Sequence, residues 1–183
     1  MSLNEEKLIR GCQKGEKEYQ QALYDRYSDG MFLVALRYSK MKQEAEDILQ
    51  EAFIKVFKNI KSFRKDSSLA YWIKRIVVNT ALNHQRSKLY LHPMVDVNEL
   101  NDWSEKESII SGLGYQELLT LIQKLPTGCQ IIFNLFAIEG YKHHEIAKKL
   151  KISEGTSKSQ YSRAKSILLE KITNLEHLRY GKL

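Results

Sequence analysis

The clearest alternation of apolar and polar positions lies between Gln43 and Leu89, where it predicts two helices. In the first helix the apolar residues recur at steps of three and four, which places them on one stripe of an α-helix. These residues are Ala45, Ile48, Leu49, Ala52, Phe53, Val56, Phe57 and Ile60. The opposite face carries Glu44, Asp47, Gln50 and Glu51. We therefore expect an acidic, polar surface on the outside of this helix.

The second helix is predicted to begin after Ser67 and Ser68, since serine caps helix N-termini well. Its apolar positions keep the helical spacing, at Leu69, Trp72, Ile73, Ile76 and Thr80. Steps of four, four and three place a polar set in one row on its other face. This row comprises Arg75, Asn79, Asn83 and Arg86, with Lys74 beside it. Acid on one helix and cations on the next favour a protein that holds another protein and a nucleic acid together.

The other periodic segments predict an all-α chain, with an N-terminal helical bundle over residues 1–90. Two further helices, Leu3 to Gln13 and Glu16 to Lys40, complete this bundle. Gly11 and Gly15 are expected to end the first of them, because glycine weakens helices and favours their C-terminal turns. Gly30 is a candidate interruption of the second. The pattern contains neither a strand signal nor an internal repeat.

Helical periodicity fails over residues 91–112, which we interpret as an acidic linker rich in turn-forming residues. This segment carries a net charge of −4, whereas residues 1–90 carry +6 and residues 113–183 carry +5. The linker is expected to rest on a basic surface of the free protein and mask it. Two basic blocks favour a polyanion that is contacted at two places. Solvated helix faces are the alternative explanation for the same excess of charge.

Residues 113–183 predict a C-terminal four-helix domain, in which Tyr141 to Ile172 has the form of a helix-turn-helix. Ile146, Ala147 and Leu150 would bury its first helix, and Ser153 would cap the second. The second helix would present a basic, hydroxyl-bearing face to the major groove of DNA. That face comprises Lys158, Ser159, Ser162, Arg163 and Lys165. An ordinary helical hairpin with a basic face is the alternative interpretation.

Composition narrows the class of protein further. The 183 residues are 43% hydrophobic and carry a net charge of +7, with a pI near 9.3. The two distant cysteines, Cys12 and Cys129, favour reduced thiols in a cytoplasmic protein over a disulfide scaffold or a metal site. No apolar run approaches a membrane span, and the N-terminus lacks an apolar signal segment. Neither membrane insertion nor secretion is therefore expected.

Patterns typical of enzymes and metal sites are weak in this chain. His144 and Glu145 begin an H-E-x-x-H zinc motif, but the next histidine position is Lys148. The acids Glu44, Asp47 and Glu51 share a face without an accompanying histidine or glycine loop, which favours a solvated or protein-binding face. No nucleophile elbow, P-loop or Rossmann pattern occurs. We expect no catalysis, no metal and no cofactor.

Three segments, in this order, carry a family resemblance. They are EAEDILQEAF from Glu44, then SFR from Ser62 followed by YWIKRI from Tyr71 with Asn79, and finally Tyr141 to Lys165. These are similar to the core-binding helix, the promoter-melting segment and the helix-turn-helix of bacterial RNA polymerase sigma factors, in the extracytoplasmic-function (ECF) group. The resemblance covers about residues 5–172. It implies a factor that binds core RNA polymerase, recognises the −10 and −35 promoter elements and melts DNA.

The resemblance also implies roles for individual residues. Those expected to bind the coiled coil of the polymerase beta-prime subunit are Asp47, Gln50 and Glu51. Those expected to form a loop that receives a flipped base of the −10 element are Arg64, Lys65, Asp66 and Ser67. Those expected to hold the rest of that element are Lys74, Arg75, Asn79, Asn83 and Arg86. Those expected to contact the −35 element are Lys158, Ser159, Ser162 and Arg163. An anti-sigma factor is a further expected partner, and the linker would run towards the RNA exit path of the polymerase.

Two departures from the family pattern concern the choice of promoter. Ser157 stands where an aliphatic residue is usual, which is expected to loosen the seating of the recognition helix. Asn83 and Gln160 stand where Asp and Arg are common. Two rival hypotheses stay open at this point. One is a stand-alone helix-turn-helix regulator that never binds polymerase, and the other is a protein-interaction module without a DNA function.

Overall fold

Helices form all the regular structure in the computed structural model, which describes residues 4–91 and 114–180. No strand occurs in either range, so the predicted all-α class is confirmed. Two compact units are present, Met1–His84 and Gln85–Leu183. The predicted linker lies outside the described residues, except for Leu91, which is the last residue of a helix.

The N-terminal unit is built from four helices. They are α1 (Glu5–Lys14), α2 (Lys17–Tyr38), α3 (Lys42–Asn59) and α4 (Leu69–Leu91), the last of which runs beyond the unit boundary. A short 3-10 turn, Ile60–Ser62, follows α3. The α1 helix packs against α2, and α2 packs against α3.

The apolar stripes predicted from the sequence form the core of the N-terminal unit. Each helix contributes completely buried side chains, among them Leu8 of α1, Leu23 and Tyr38 of α2, Ile48 of α3 and Ile73 of α4. Full burial of one such aliphatic side chain is worth about 1.5–3 kcal/mol relative to exposure. The requirement to bury these stripes fixes the rotation of each helix about its axis, and with it the face that meets solvent.

The α2 helix continues through Gly30, so the suggested interruption is wrong. Gly30 is exposed, and no atom lies within 4 Å of the position that a Cβ would occupy. One glycine in a helix costs only about 1 kcal/mol relative to alanine. The neighbouring residues Met31 and Val34 are buried, and their burial is enough to outweigh this cost.

Gly11 lies inside α1 rather than at its end, which corrects the expectation from the sequence. It is buried, and a Cβ at this position would collide with the ring of Tyr19 on α2. The helix ends instead at Gly15, whose φ of 80° is in the left-handed region that glycine adopts easily. The two glycines therefore act differently, since Gly11 permits close helix packing and Gly15 permits the turn.

The C-terminal unit contains the predicted four-helix domain. Its helices are α5 (Tyr115–Gln123), α6 (Thr127–Phe133), α7 (His143–Leu150) and α8 (Glu154–Tyr180). A π-helical segment, Asn134–Ile138, continues α6. One cluster of buried residues joins the α5–α6 region to α8, and it comprises Leu121, Leu125, Cys129, Ala164, Leu168 and Ile172. The α7 and α8 helices form the helix-turn-helix.

Substitution of Gly11 by alanine tests the close packing of α1 on α2. Gly11→Ala should lower the free energy of unfolding by about 1–3 kcal/mol, because the added methyl group overpacks the contact with Tyr19. Gly30→Ala is the matched control at an exposed helical site, and it should raise the same quantity by up to about 1 kcal/mol. Urea unfolding followed by circular dichroism measures both. A stabilising effect of both substitutions would contradict the packing role of Gly11.

Candidate nucleic-acid and protein interfaces

The outer face of α3 presents polar side chains to solvent. Asp47 and Gln50 are both exposed, as the sequence predicts. Ile54 lies one turn beyond Gln50 and is 54% exposed, although it is a large apolar residue. No role was predicted for Ile54, although its position outside the apolar stripe of α3 was visible in the sequence.

Glu51 differs from Asp47 because internal partners hold both of its carboxylate oxygens. Oε1 lies 2.6 Å from Lys55 Nζ, and Oε2 lies 2.5 Å from His84 Nε2 on α4. Lys55 Nζ also donates a hydrogen bond to Thr80 Oγ1 at 3.2 Å. The hydrogen bond from Lys55, followed by that from His84, holds the pKa of Glu51 below its ordinary value. Glu51 therefore links α3 to α4, although its side chain remains 43% exposed.

This link gives a structural role to a residue that the sequence groups with Asp47 on a solvated or protein-binding face. Reversal of the charge at Glu51 would break the bonds to Lys55 and His84 and place a second cation beside Lys55. Asp47 is consequently the cleaner position at which to test protein binding by α3.

The polar row of α4 is exposed along its length. Arg75, Asn79, Asn83 and Arg86 all face solvent, whereas Lys74 is half-buried. The opposite side of the helix is buried, and its completely buried residues include Leu69, Ile73, Val77, Thr80 and Ala81. Tyr71 lies one turn before Arg75 and is 49% exposed, so an aromatic ring begins the row. Tyr71 belongs to the YWIKRI motif, but no separate role was predicted for it.

The loop before α4 is held at both ends. Phe63 is buried, and its ring lies 5.2 Å from that of Trp72. Ser68 rather than Ser67 caps the helix, since its Oγ accepts a hydrogen bond from the N–H of Tyr71 at 3.3 Å. This anchoring leaves the residues between them as a short surface loop.

Within this loop, Lys65 is tied to the first helix. Its Nζ lies 2.9 Å from Glu6 Oε1 on α1, and its φ of 63° is uncommon for a residue other than glycine. The hydrogen bond from Lys65 is the main cause of the lowered pKa of Glu6. Arg64 and Asp66 are exposed and Ser67 is half-buried. Of the four predicted loop residues, Arg64, Lys65 and Asp66 are thus exposed, and Lys65 is paired with Glu6.

The turn of the helix-turn-helix lies where the sequence predicts it, whereas α8 continues to Tyr180, beyond the predicted end at Ile172. Lys151 adopts a left-handed conformation, with φ 58°, between α7 and α8. Ser153 caps α8, because its Oγ accepts a hydrogen bond from the N–H of Thr156 at 2.8 Å. Glu145 similarly caps α7, accepting a hydrogen bond from the N–H of Lys142 at 2.8 Å. These local bonds satisfy donors that helix N-termini leave unpaired.

The predicted recognition face of α8 carries two exposed cations. Lys158 and Arg163 are exposed, whereas Ser159 and Ser162 are half-buried. Lys158 Nζ lies 2.9 Å from Glu154 Oε1, so a DNA phosphate or base would have to replace an existing ion pair. Lys165 Nζ lies 5.0 Å from the centre of the Tyr161 ring. Gln160 is buried, with its Oε1 accepting a hydrogen bond from Cys129 Sγ, and so it does not belong to this face.

His143 and Ser157 meet beneath the recognition face. His143 Nδ1 lies 2.9 Å from Ser157 Oγ, and Ser157 is completely buried. The imidazole stacks on Phe136 with ring centres 4.2 Å apart. Burial, with the nearby Lys158 ammonium adding to it, holds the pKa of His143 below its ordinary value, while Glu154 opposes the shift. The bond between His143 and Ser157 was not predicted, because the two residues lie on different helices.

Two further observations limit the chemistry of the described residues. Within residues 4–91 and 114–180, no cluster of His, Cys, Asp and Glu has the geometry to hold a metal ion. Over the same ranges, no helix has the length and apolar character required to cross a bilayer.

Removal of the Glu51 carboxylate tests the link between α3 and α4. The pKa of this carboxyl is lowered by folding, so its contribution to stability is present at neutral pH and is lost as pH falls through and below its ordinary value of 4.5. Glu51→Gln should lower the free energy of unfolding at pH 7 by at most about 1 kcal/mol, since the site is partly solvated. The difference from the parent protein should shrink as pH falls towards 3.

The matched control is Glu46→Gln on the same helix. Among the described residues, Glu46 forms an ion pair within α3, with Lys42 Nζ at 3.5 Å. This substitution should have the smaller effect at neutral pH. Urea unfolding across a pH series measures both variants, and a larger loss for Glu46→Gln would contradict the proposed link.

Comparison with known proteins places this architecture in a family. The sigma-70 region 2 model matches residues 23–89, and the sigma-70 region 4 model matches residues 115–168. The first match contains α3 and α4 with the loop between them, and the second contains the helix-turn-helix. The two matches therefore cover most of the chain and include the candidate interfaces described above.

Individual relatives agree with the family models. The RNA polymerase sigma-H factor of Pseudomonas aeruginosa is 28% identical over 176 residues, which is 90% of this chain and 91% of that protein. The ECF RNA polymerase sigma-E factor of Escherichia coli K12 is 28% identical over 189 residues, covering 94% and 96% of the two chains. The sigma factor RpoE of Bartonella quintana, solved with the anti-sigma factor NepR, shares the fold at a TM-score of 0.52. That comparison shows 21% identity and covers 86% of this chain and 98% of that one. This chain belongs to the sigma-70 family of RNA polymerase sigma factors, in the extracytoplasmic-function group.

Proposed function

We propose that this chain docks on core RNA polymerase through the outer face of α3 and directs the enzyme to promoters through α4 and α8. The observation that carries the proposal is the sorting of charge between adjacent helices. The exposed side of α3 offers Asp47 and Gln50, whereas the exposed side of α4 offers Arg75, Asn79 and Arg86. One surface therefore suits a basic protein partner, and the other suits a polyanion.

The docking surface on α3 combines charge with an apolar centre. Asp47 and Gln50 would bind the coiled coil of the polymerase beta-prime subunit, with Ile54 buried between the two proteins. Interfaces typically place such an apolar residue at the centre of a polar rim. Glu51 would contribute the exposed part of its side chain to this docking surface, while its bonds to Lys55 and His84 hold α3 in position.

The row on α4 would hold the −10 element in its melted form. Arg75 and Arg86 would contact phosphates, and Asn79 and Asn83 would meet base edges. A base flipped from the duplex would enter the loop of Arg64, Lys65, Asp66 and Ser67, at a cost of a few kcal/mol in unstacking. Lys74 would add positive charge beside the row.

The helix-turn-helix would place α8 in the major groove at the −35 element. Arg163 and Lys158 are the candidate guanine or phosphate contacts, and Ser159 and Ser162 allow a close approach of the helix. Lys158 would exchange its ion pair with Glu154 for one with DNA. Melted DNA on one unit and duplex DNA on the other would account for the two basic blocks of the sequence.

A stand-alone DNA-binding regulator is not favoured. Such a protein has no need of the segment matched by sigma-70 region 2, which spans residues 23–89. We further propose that the chain performs no catalysis itself and acts in the cytoplasm, where the polymerase transcribes. Residues 1–90 would form the polymerase and −10 unit, 91–112 the linker, and 113–183 the −35 unit, with an anti-sigma factor as an inhibitory partner.

Reconstitution with core RNA polymerase tests the proposal directly. The full chain should bind core enzyme in a pull-down and support run-off transcription from a subset of a promoter library. Asp47→Lys should reduce both activities at least tenfold, because a buried like charge at an interface costs several kcal/mol. Asp29→Lys is the control, since Asp29 is an exposed acid on α2 outside the proposed surface.

Either of two results would contradict this part of the account. Absence of specific transcripts from every promoter in the library would refute the proposed function. Alternatively, Asp47→Lys and Asp29→Lys could reduce binding equally, which would remove α3 as the docking surface.

Substitution of Arg163 tests whether its side chain contacts a base or a phosphate, because only the loss of a base contact depends on the DNA sequence. Arg163→Ala should weaken holoenzyme binding to promoters by about 1–3 kcal/mol if the guanidinium reads a base. The loss should be confined to promoters with the preferred −35 sequence. An equal loss on every DNA sequence would instead identify Arg163 as a phosphate contact.

A further inference from the structure

We propose that His143 and Ser157 form a positioning pair that sets the seating of the recognition helix and thereby the choice of −35 sequence. The DNA part of this inference rests on the function proposed above. Neither residue is taken to contact DNA. They act through Lys158 and Arg163, which lie on the same helix as Ser157 and face solvent.

The Ser157 hydroxyl is buried and therefore needs a hydrogen-bond partner. Ser157 has no exposed surface, and its Oγ lies 2.9 Å from His143 Nδ1. A buried hydroxyl that lacks a partner is destabilising, so the imidazole is required where a serine replaces an apolar side chain. We therefore expect Ser157 to hold α8 in place rather than loosen it, because its hydrogen bond to His143 replaces the apolar contact.

The imidazole of His143 is itself held in place by aromatic neighbours. Its ring stacks on Phe136, with centres 4.2 Å apart and an angle of 14° between the planes. Phe136 in turn lies 4.5 Å from Tyr161 of α8, measured between ring centres. Phe136 belongs to the π-helical segment that continues α6, while His143 is the first residue of α7. The π-helical segment, α7 and α8 thus meet at the Phe136 ring.

The direction of the bond between His143 and Ser157 restricts the position of α8. A hydrogen bond is directional and weakens steeply when its angle departs from linearity, whereas an apolar contact is non-directional and sets the position of a helix less finely. The bond between His143 and Ser157 therefore restricts both the rotation and the axial position of α8 relative to α7. Lys158 follows Ser157 directly, so a rotation of α8 displaces its ammonium group. Base readout depends on such placement, because it needs donors and acceptors within hydrogen-bonding distance.

The test uses two variants of the same shape and the full chain reconstituted with core polymerase. Ser157→Thr keeps a hydroxyl, whereas Ser157→Val has almost the same volume and lacks it. Transcription from promoters with a randomised −35 element measures the ratio between the preferred sequence and its single mismatches. Ser157→Thr should keep the parent ratio, and Ser157→Val should lower it roughly tenfold, which is the scale of one misplaced base contact.

His143→Phe provides the second arm, since it keeps an aromatic ring against Phe136 and removes the bonding nitrogen. It should lower the discrimination ratio as Ser157→Val does. The double variant should be no worse than either single variant, because both substitutions break the same bond. Ser166→Val is the matched control on α8, where an exposed serine bonds only to the carbonyl of Ser162 at 3.2 Å. It should leave the ratio unchanged.

A pre-melted template without a −35 element separates misfolding from misplacement. Ser157→Val and His143→Phe should retain parent activity on this template, because they do not alter α3 or α4. An unchanged −35 ratio in both variants would overturn the inference. So would an equal loss on every −35 sequence, which would mark His143 as a phosphate contact or the pair as a general stabiliser.

Amide hydrogen exchange gives a readout that does not depend on transcription. Exchange in α8 should be faster in Ser157→Val and His143→Phe than in Ser157→Thr, and equal rates would overturn the seating role. Failure of the parent protein to transcribe from any template would count against the proposed function and against the DNA part of the inference. The exchange experiment would still decide whether the pair seats α8.

Discussion

Burial of one side of α4 is the constraint on which the proposed DNA and polymerase surfaces of the N-terminal unit depend. Ile73, Val77 and Ala81 repeat at intervals of four and have no exposed surface. Their burial fixes the rotation of the helix, and it leaves Arg75 and Asn79 on the solvent side. The same reasoning applies to α3, where Ile48, Ala52 and Val56 are buried and Asp47 and Gln50 are exposed. The charge of each surface follows from packing.

Polar links across the interface of α3 and α4 make this arrangement specific. Glu51 bonds to His84, and Lys55 bonds to Thr80, so two contacts join helices whose outer faces carry opposite charge. Apolar burial is non-directional, whereas these hydrogen bonds form only when the two helices are in one register. The C-terminal unit uses a similar device at the contact of His143 with Ser157. In both units a partly buried polar pair supports a neighbouring surface that is proposed to bind a partner.

Periodicity in the sequence predicted the features that depend on residues close in the chain. The stripes of α3 and α4, the turn between α7 and α8, and the cap at Ser153 all follow from spacings of a few residues. Features that depend on distant pairs could not be read in this way. The close packing of Gly11 against Tyr19, the bond of Glu51 to His84 and the bond of His143 to Ser157 each join residues from different helices. Ile54 was missed although its polar surroundings were visible in the sequence.

Site-specific photo-crosslinking in the complex of this chain, core polymerase and promoter DNA tests the central claim most directly. A photoreactive amino acid is placed at position 50 on α3 or at position 79 on α4, both of which are exposed. The account predicts that position 50 crosslinks to the polymerase and position 79 to DNA near the −10 element. Crosslinks from position 50 to DNA, or from position 79 to the polymerase alone, would contradict the assignment of the two surfaces.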